Sequence, residues 1–80
     1  MGLELKIVSP AKVEYQGMVE KVIVPGISGQ FEILQDHAPI ISSLSNGEVV
    51  YQDSDGEHVL NVIRGFVEVR KNNVDICVEV

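Results

Sequence analysis

Residues 65–80 read GFVEVRKNNVDICVEV. Val74, Ile76, Val78 and Val80 occupy every second position, with Asp75, Cys77 and Glu79 between them. A period of two sends successive side chains to opposite faces of an extended chain. The run 74–79 is therefore expected to be a strand with one face in a core and the other toward water. Asn72-Asn73 supplies the tight turn of a hairpin, and residues 65–71 supply the partner strand. Gly65, between Arg64 and Phe66, marks a break where glycine allows a bulge or a close backbone approach.

The same rhythm extends outward. Leu3, Leu5 and Ile7 share a face opposite Glu4 and Lys6. Val19, Lys21 and Ile23 alternate with Glu20, Val22 and Val24, and Val59, Asn61 and Ile63 with Leu60 and Val62. The stretches 19–24 and 59–63 carry apolar residues on both faces, which predicts cover on both sides, from a second sheet or a partner. Pro25-Gly26, Asn46-Gly47 and Asp55-Gly56 punctuate these runs, and Ser9-Pro10 and Tyr15-Gln16-Gly17 mark two further breaks. Strands are expected near 3–8, 11–16, 18–24, 29–34, 39–44, 47–52, 57–63, 65–71 and 74–79. No window carries a helical stripe. The expected fold is all-β: an antiparallel β-sandwich or flattened barrel forming one domain over residues 1–80.

Composition narrows the function. Twelve acids against six bases give a net charge of −6, which repels a phosphate backbone and an anionic membrane surface alike. Neither nucleic-acid binding nor membrane insertion is expected. The start, Met1-Gly2-Leu3-Glu4, lacks the basic and apolar regions of a signal peptide, and Lys6 stands where a myristoylation motif needs Ser or Thr. The single cysteine, Cys77, has no internal partner, as suits a reducing compartment. In a valine-rich strand it reads as a small packed hydrophobe.

Catalytic equipment is sparse. His37, His58 and Cys77 have no paired metal-ligand spacing, so no metal is expected, and His58 reads as a solvated strand residue. Asp36 and His37 are neighbours that point to opposite faces, poorly placed to work together or with Ser42. Gly26-Ile27-Ser28-Gly29 lacks the ending and the following helix of a phosphate loop and reads as a wide, conformationally free loop. No cofactor and no catalytic residue is assigned. A small enzyme using His37 with Asp36 or Ser42, and a generic ligand-binding or adaptor sandwich, remain as alternative readings.

GISGQFEILQDHAP, residues 26–39, resembles the loop-strand-loop of the epsilon subunit of the rotary F-type ATP synthase. The matching residues are Gly26, Gly29, Ile33, His37, Ala38 and Pro39. LKIVSP (5–10), GMVEKVIVPG (17–26), GFVEV (65–69) and NNVDICVEV (72–80) are similar to the family's flanking strands in order and spacing. The family often has glycine where Glu32, Asp36 and Arg64 stand, and proline where Gln35 stands.

The resemblance implies a ten-stranded sandwich of two five-stranded sheets in the central stalk, without catalysis of its own, peripheral on the cytoplasmic face of the membrane. The implied partners are the gamma subunit and the loops of the c-ring. The gamma-facing residues would be His37, Ala38, Pro39, Ile40, Ile41 and Ser42. The c-ring side would be Gly26, Ile27, Ser28, Gly29, Gln30, Phe31 and Glu32. Gln30 and Glu32 would accept hydrogen bonds or pair with basic residues, and Phe31 would be either an apolar anchor or core. Ile33 is expected in the core. The family's C-terminal helical hairpin lies beyond this stretch, so neither inhibition of hydrolysis nor ATP binding is expected of it. His37-Ala38-Pro39 then becomes an interface loop, preshaped because proline fixes its own φ and restricts the residue before it.

Overall fold

The structure is a computed structural model that describes residues 2–80. Its elements are β1 (Leu3–Val8), β2 (Val13–Val19), β3 (Lys21–Gly26), β4 (Gly29–Ile33), β5 (Ile40–Leu44), β6 (Gly47–Asp53), β7 (Gly56–Val62), β8 (Arg64–Arg70) and β9 (Asn73–Glu79). Hydrogen-bonded order runs β2-β1-β9-β8-β5 in one layer and β4-β3-β6-β7 in the other. The layers join at one corner. There Gly26 pairs Leu44, Ser45 N–H donates to Pro25 O at 2.8 Å, and Ile27 N–H donates to Ser43 O at 3.0 Å.

The all-β sandwich expectation holds, with differences of detail. Among the described residues nine strands form where ten were expected, five and four rather than five and five. Not every pair is antiparallel: β1 and β9 run parallel, from Glu4 beside Asn73 to Val8 beside Cys77. Parallel pairs need a long crossover, and here nearly the whole chain intervenes. Tyr15-Gln16-Gly17 does not break the chain. It lies inside β2, and the true turn is at Glu20. A Cβ on Gly17 would sit 2.9 Å from the Tyr15 hydroxyl, so this glycine makes room for a ring instead of ending a strand.

The core follows the alternation read from the sequence. Leu3, Leu5, Ile7, Val67, Val69, Val74 and Ile76 of one layer pack with Val22, Val24, Ile33 and Val49 of the other, each at most 1% exposed. Burying one such side chain contributes about 1.5–3 kcal/mol, against roughly 1–2 kcal/mol to order each residue's backbone. A chain without tryptophan therefore needs nearly every inward position filled by an aliphatic residue. Val80 leaves the pattern and is exposed. No second sheet of this chain covers the outer face of 59–63: Val62 is buried, but Val59 and Ile63 are exposed.

β2 and the β6–β7 hairpin meet where the two ends of the sheet face each other, and polar and aromatic side chains close that seam. The Tyr15 hydroxyl donates to Asp53 Oδ2 at 3.0 Å, His58 Nε2 lies 2.9 Å from Asp53 Oδ1, and Asp55 N–H donates to Oδ1 at 2.8 Å. The Tyr51 ring centroid is 4.5 Å from that of Tyr15 and 5.1 Å from the His58 imidazole, which stacks on it. His58 is thus a partner in this seam, not the solvated residue its acidic neighbours suggested. The sequence hides it because Asp53 and His58 meet only across the hairpin.

The His58 hydrogen bond, helped by the Asp55 amide and the Tyr15 hydroxyl, holds the Asp53 carboxyl below its usual value. Burial and the same carboxylate push the Tyr15 hydroxyl up. A depressed carboxyl stabilises the fold above its unfolded value, near 3.9, and that contribution is lost as pH falls through the folded value. Urea midpoints of the wild type are expected to fall more steeply below about pH 4 than those of Asp53→Asn. Equal slopes would remove Asp53 from the account.

Candidate functional site

β4 and β5 border opposite layers on the same side of the sandwich, and the residues marked in the sequence gather there. Ile27 and Ser28 form a two-residue turn between Gly26 and Gly29, which pair with each other. The expected wide loop is therefore a tight hairpin. Gly29 has φ +133°, a conformation that glycine adopts without steric cost. The hairpin presents Ile27, 69% exposed, at its tip.

Phe31 lies half-buried against the core. Gly26 leaves room for it: a Cβ there would come within 2.8 Å of the Phe31 ring. The Phe31 centroid is 6.4 Å from that of His37. Phe31 thus anchors the hairpin to the body and also supports the loop. Ile33 is fully buried, as expected. Gln30 and Glu32 are exposed, free to meet polar groups.

After β4 the chain turns back on itself. His37 N–H donates to Leu34 O at 3.1 Å. His37 Nδ1 lies 2.6 Å from Ala38 O, while the Asp36 side chain turns to Asn72. The two neighbours do not form an acid–base pair. The Ser42 hydroxyl donates to Ser43 O at 3.1 Å, so it is engaged with backbone and not with His37. Among the described residues, no three His, Cys, Asp or Glu side chains come together as a metal site requires.

The two segments assigned to different partners share one groove of about 410 Å³, lined by Gly26, Ser28–Phe31 and Ile40–Ser42. Pro39, Ile40 and Ile41 also border Glu68, Val69 and Arg70 of β8. Ile41 is 73% exposed, more than any other large apolar side chain described. Ile40 is half-buried against the core.

One part of this surface was missed in the sequence. Register places Ser43 opposite Phe66, Phe66 opposite Cys77, and Cys77 opposite Val8. Phe66 is 48% exposed. Phe66, Cys77 and Val8 thus form an apolar row across β8, β9 and β1, with Ser43 of β5 at its end; Ile41 stands on the same outer face two residues along β5, opposite Glu68. Cys77 is thus half-exposed in a surface groove with Val8 and Phe66, not packed inside. The signal was present: Val8, Phe66 and Cys77 are apolar residues at the outward parity of strands whose inward positions are already filled. Gly65 does not interrupt β8. It is a close approach, since a Cβ there would clash with Cys77 O.

Comparison with known proteins decides the family. Residues 2–80 match the model of the ATP synthase delta/epsilon chain β-sandwich domain. The chain belongs to that family. An ATP synthase epsilon chain of Leptospira interrogans is 38% identical over 77 residues, covering 96% of this chain and 61% of that protein. The one of Gloeobacter violaceus is 40% identical over 76 residues, covering 95% and 58%. The one of Chlorobaculum tepidum is 37% identical over 76 residues, covering 94% and 86%. The chain thus spans about three fifths of the length of the first two and most of the third. Among solved structures, a chain of the Euglena gracilis mitochondrial ATP synthase superposes with a TM-score of 0.89 at 19% identity, covering 96% of this chain and 50% of that one. A chain of the central stalk and c-ring assembly from Tetrahymena thermophila gives 0.83 at 14%, covering 100% and 65%. At such identities the likeness is one of fold, over essentially the whole chain.

Proposed function

We propose that these residues form the sandwich of an ATP synthase epsilon subunit. It stands in the central stalk as a rotor part and links the gamma subunit to the c-ring. It catalyses nothing itself and helps couple proton transport to ATP synthesis made elsewhere in the complex. The complex would hold it at the membrane, on the cytoplasmic face, without insertion.

The observation that carries this reading is one outer face that exposes Ile41 and the apolar row Phe66, Cys77 and Val8, beside a preshaped loop, in a small acidic domain of this family. A surface of that kind stays soluble only when covered or kept small. His37, Ala38, Pro39, Ile40, Ile41 and Ser42 would meet gamma. Gly26 to Glu32 would stand at the foot, with Gln30 and Glu32 accepting hydrogen bonds from c-ring loops and Ile27 filling an apolar spot. Two interdigitated sheets resist deformation, as transmission of torque requires.

The test is co-purification with the gamma subunit and the c-ring of the same organism. The wild-type chain is expected to bring down gamma. Glu32→Lys is expected to retain gamma but lose about tenfold or more of its c-ring retention, since it reverses a charge at the foot. A wild-type chain that never co-purifies with gamma would sink the reading, and normal c-ring retention of Glu32→Lys would move the foot elsewhere.

A further inference from the structure

Asp36 stands at φ +66°, third in the turn closed by the His37 N–H to Leu34 O bond. Gln35 has no positive φ, so the turn is of the type that puts glycine, or a tolerant Asx residue, at its third position. Aspartate is less at ease there than glycine. The compensating contact comes from 36 residues away: Asp36 N–H donates to Asn72 Oδ1 at 2.8 Å, and Asn72 Nδ2 reaches Asp36 Oδ1 at 3.5 Å. Asn72 is itself fixed. It sits in the β8–β9 turn after Lys71, whose φ is +55°, and its carbonyl accepts the Glu4 N–H at 2.8 Å. A loop that belongs to no strand between Ile33 and Ile40 is thus tied to the body by this side-chain hydrogen bond, in addition to the contact of Phe31 with His37.

Resting on the docking reading above, we infer that Asn72 is a positioning residue for the interface loop: through Asp36 it holds Asp36–Pro39 in the docking shape. Its contribution is to population. A loop that visits the binding shape only part of the time binds more weakly by that fraction, and ordering it on contact costs entropy. The bond runs between a side chain and a backbone amide at a partly exposed site, so its loss shifts that population several-fold.

Asn72→Ala tests this in the full chain, by backbone relaxation of residues 36–38, amide exchange across β8–β9, and affinity for gamma. The expected result is a fall of the order parameters at 36–38 toward about 0.6 and roughly fivefold weaker binding to gamma. Exchange protection in β8 and β9 stays at the wild-type level. The swap of Asp36→Asn with Asn72→Asp keeps an acceptor for the residue-36 amide and an amide–carboxylate pair. It is expected to restore both loop order and affinity.

A loop that stays ordered with unchanged affinity overturns the inference. So does a collapse of the β8–β9 hairpin, or failure of Asn72→Ala to fold, since either makes Asn72 a structural residue. If the wild type does not bind gamma at all, the docking reading falls by itself, and the order parameters still decide whether Asn72 holds the loop.

Discussion

Gly65→Ala is expected to destabilise the domain by about 3 kcal/mol, at the top of the range for overpacking. Two effects compete. Gly65 does not have a positive φ, so alanine can adopt its backbone conformation. Through the unfolded state alone, that exchange would stabilise by roughly 0.4–1 kcal/mol. The added Cβ, however, would clash with Cys77 O and lie 2.9 Å from Val78 Cα. Both are backbone atoms of the paired strand and cannot swing aside as a side chain would. Either β8 and β9 separate locally, or the strand twists and disturbs Leu44, which pairs Gly65 on the other side. The clash therefore wins. A domain of this size has only about 4–12 kcal/mol in total, so the loss is a large share. Urea titration at neutral pH reads it directly, and a midpoint equal to or above the wild type would show that the strands are not pressed together there.

Ile41→Asp is the second large effect, and it falls on binding, not folding. Ile41 is 73% exposed and lies between the Pro39 loop and the Phe66 face. Surface changes away from special features alter stability by no more than about 0.5 kcal/mol. A fully covered apolar anchor at the centre of an interface costs about 2 kcal/mol or more when lost, and a carboxylate buried there without a partner adds its own penalty. Affinity for gamma is expected to fall about 30-fold or more, while the urea midpoint falls only slightly, since a carboxylate opposite Glu68 costs about 0.2–1 kcal/mol. Unchanged affinity would place the gamma contact elsewhere on the sandwich.

The strands were legible because inward positions in a small two-layer fold admit little but aliphatic residues. Leu3, Leu5, Ile7, Val74 and Ile76 announced their faces. What stayed hidden depended on partners distant in sequence. The parallel union of β1 with β9 leaves no local trace, because each strand alone looks ready for an antiparallel neighbour. Tyr15, Asp53 and His58 look unrelated until the two ends of the sheet meet. Asn72 reads as a turn residue, and only the coordinates give its side chain a second task at Asp36. The two segments proposed as interfaces, read as separate, share a groove because β4 and β5 border the same side of the sandwich.

The pairing of β1 with β9 has a mechanical consequence. Five register pairs, from Glu4–Asn73 to Val8–Cys77, join the first strand to the last along a common direction. Tension between Gly2 and Val80 would draw these strands past each other in shear, loading the whole ladder at once. An antiparallel terminal pair would instead peel apart one rung after another.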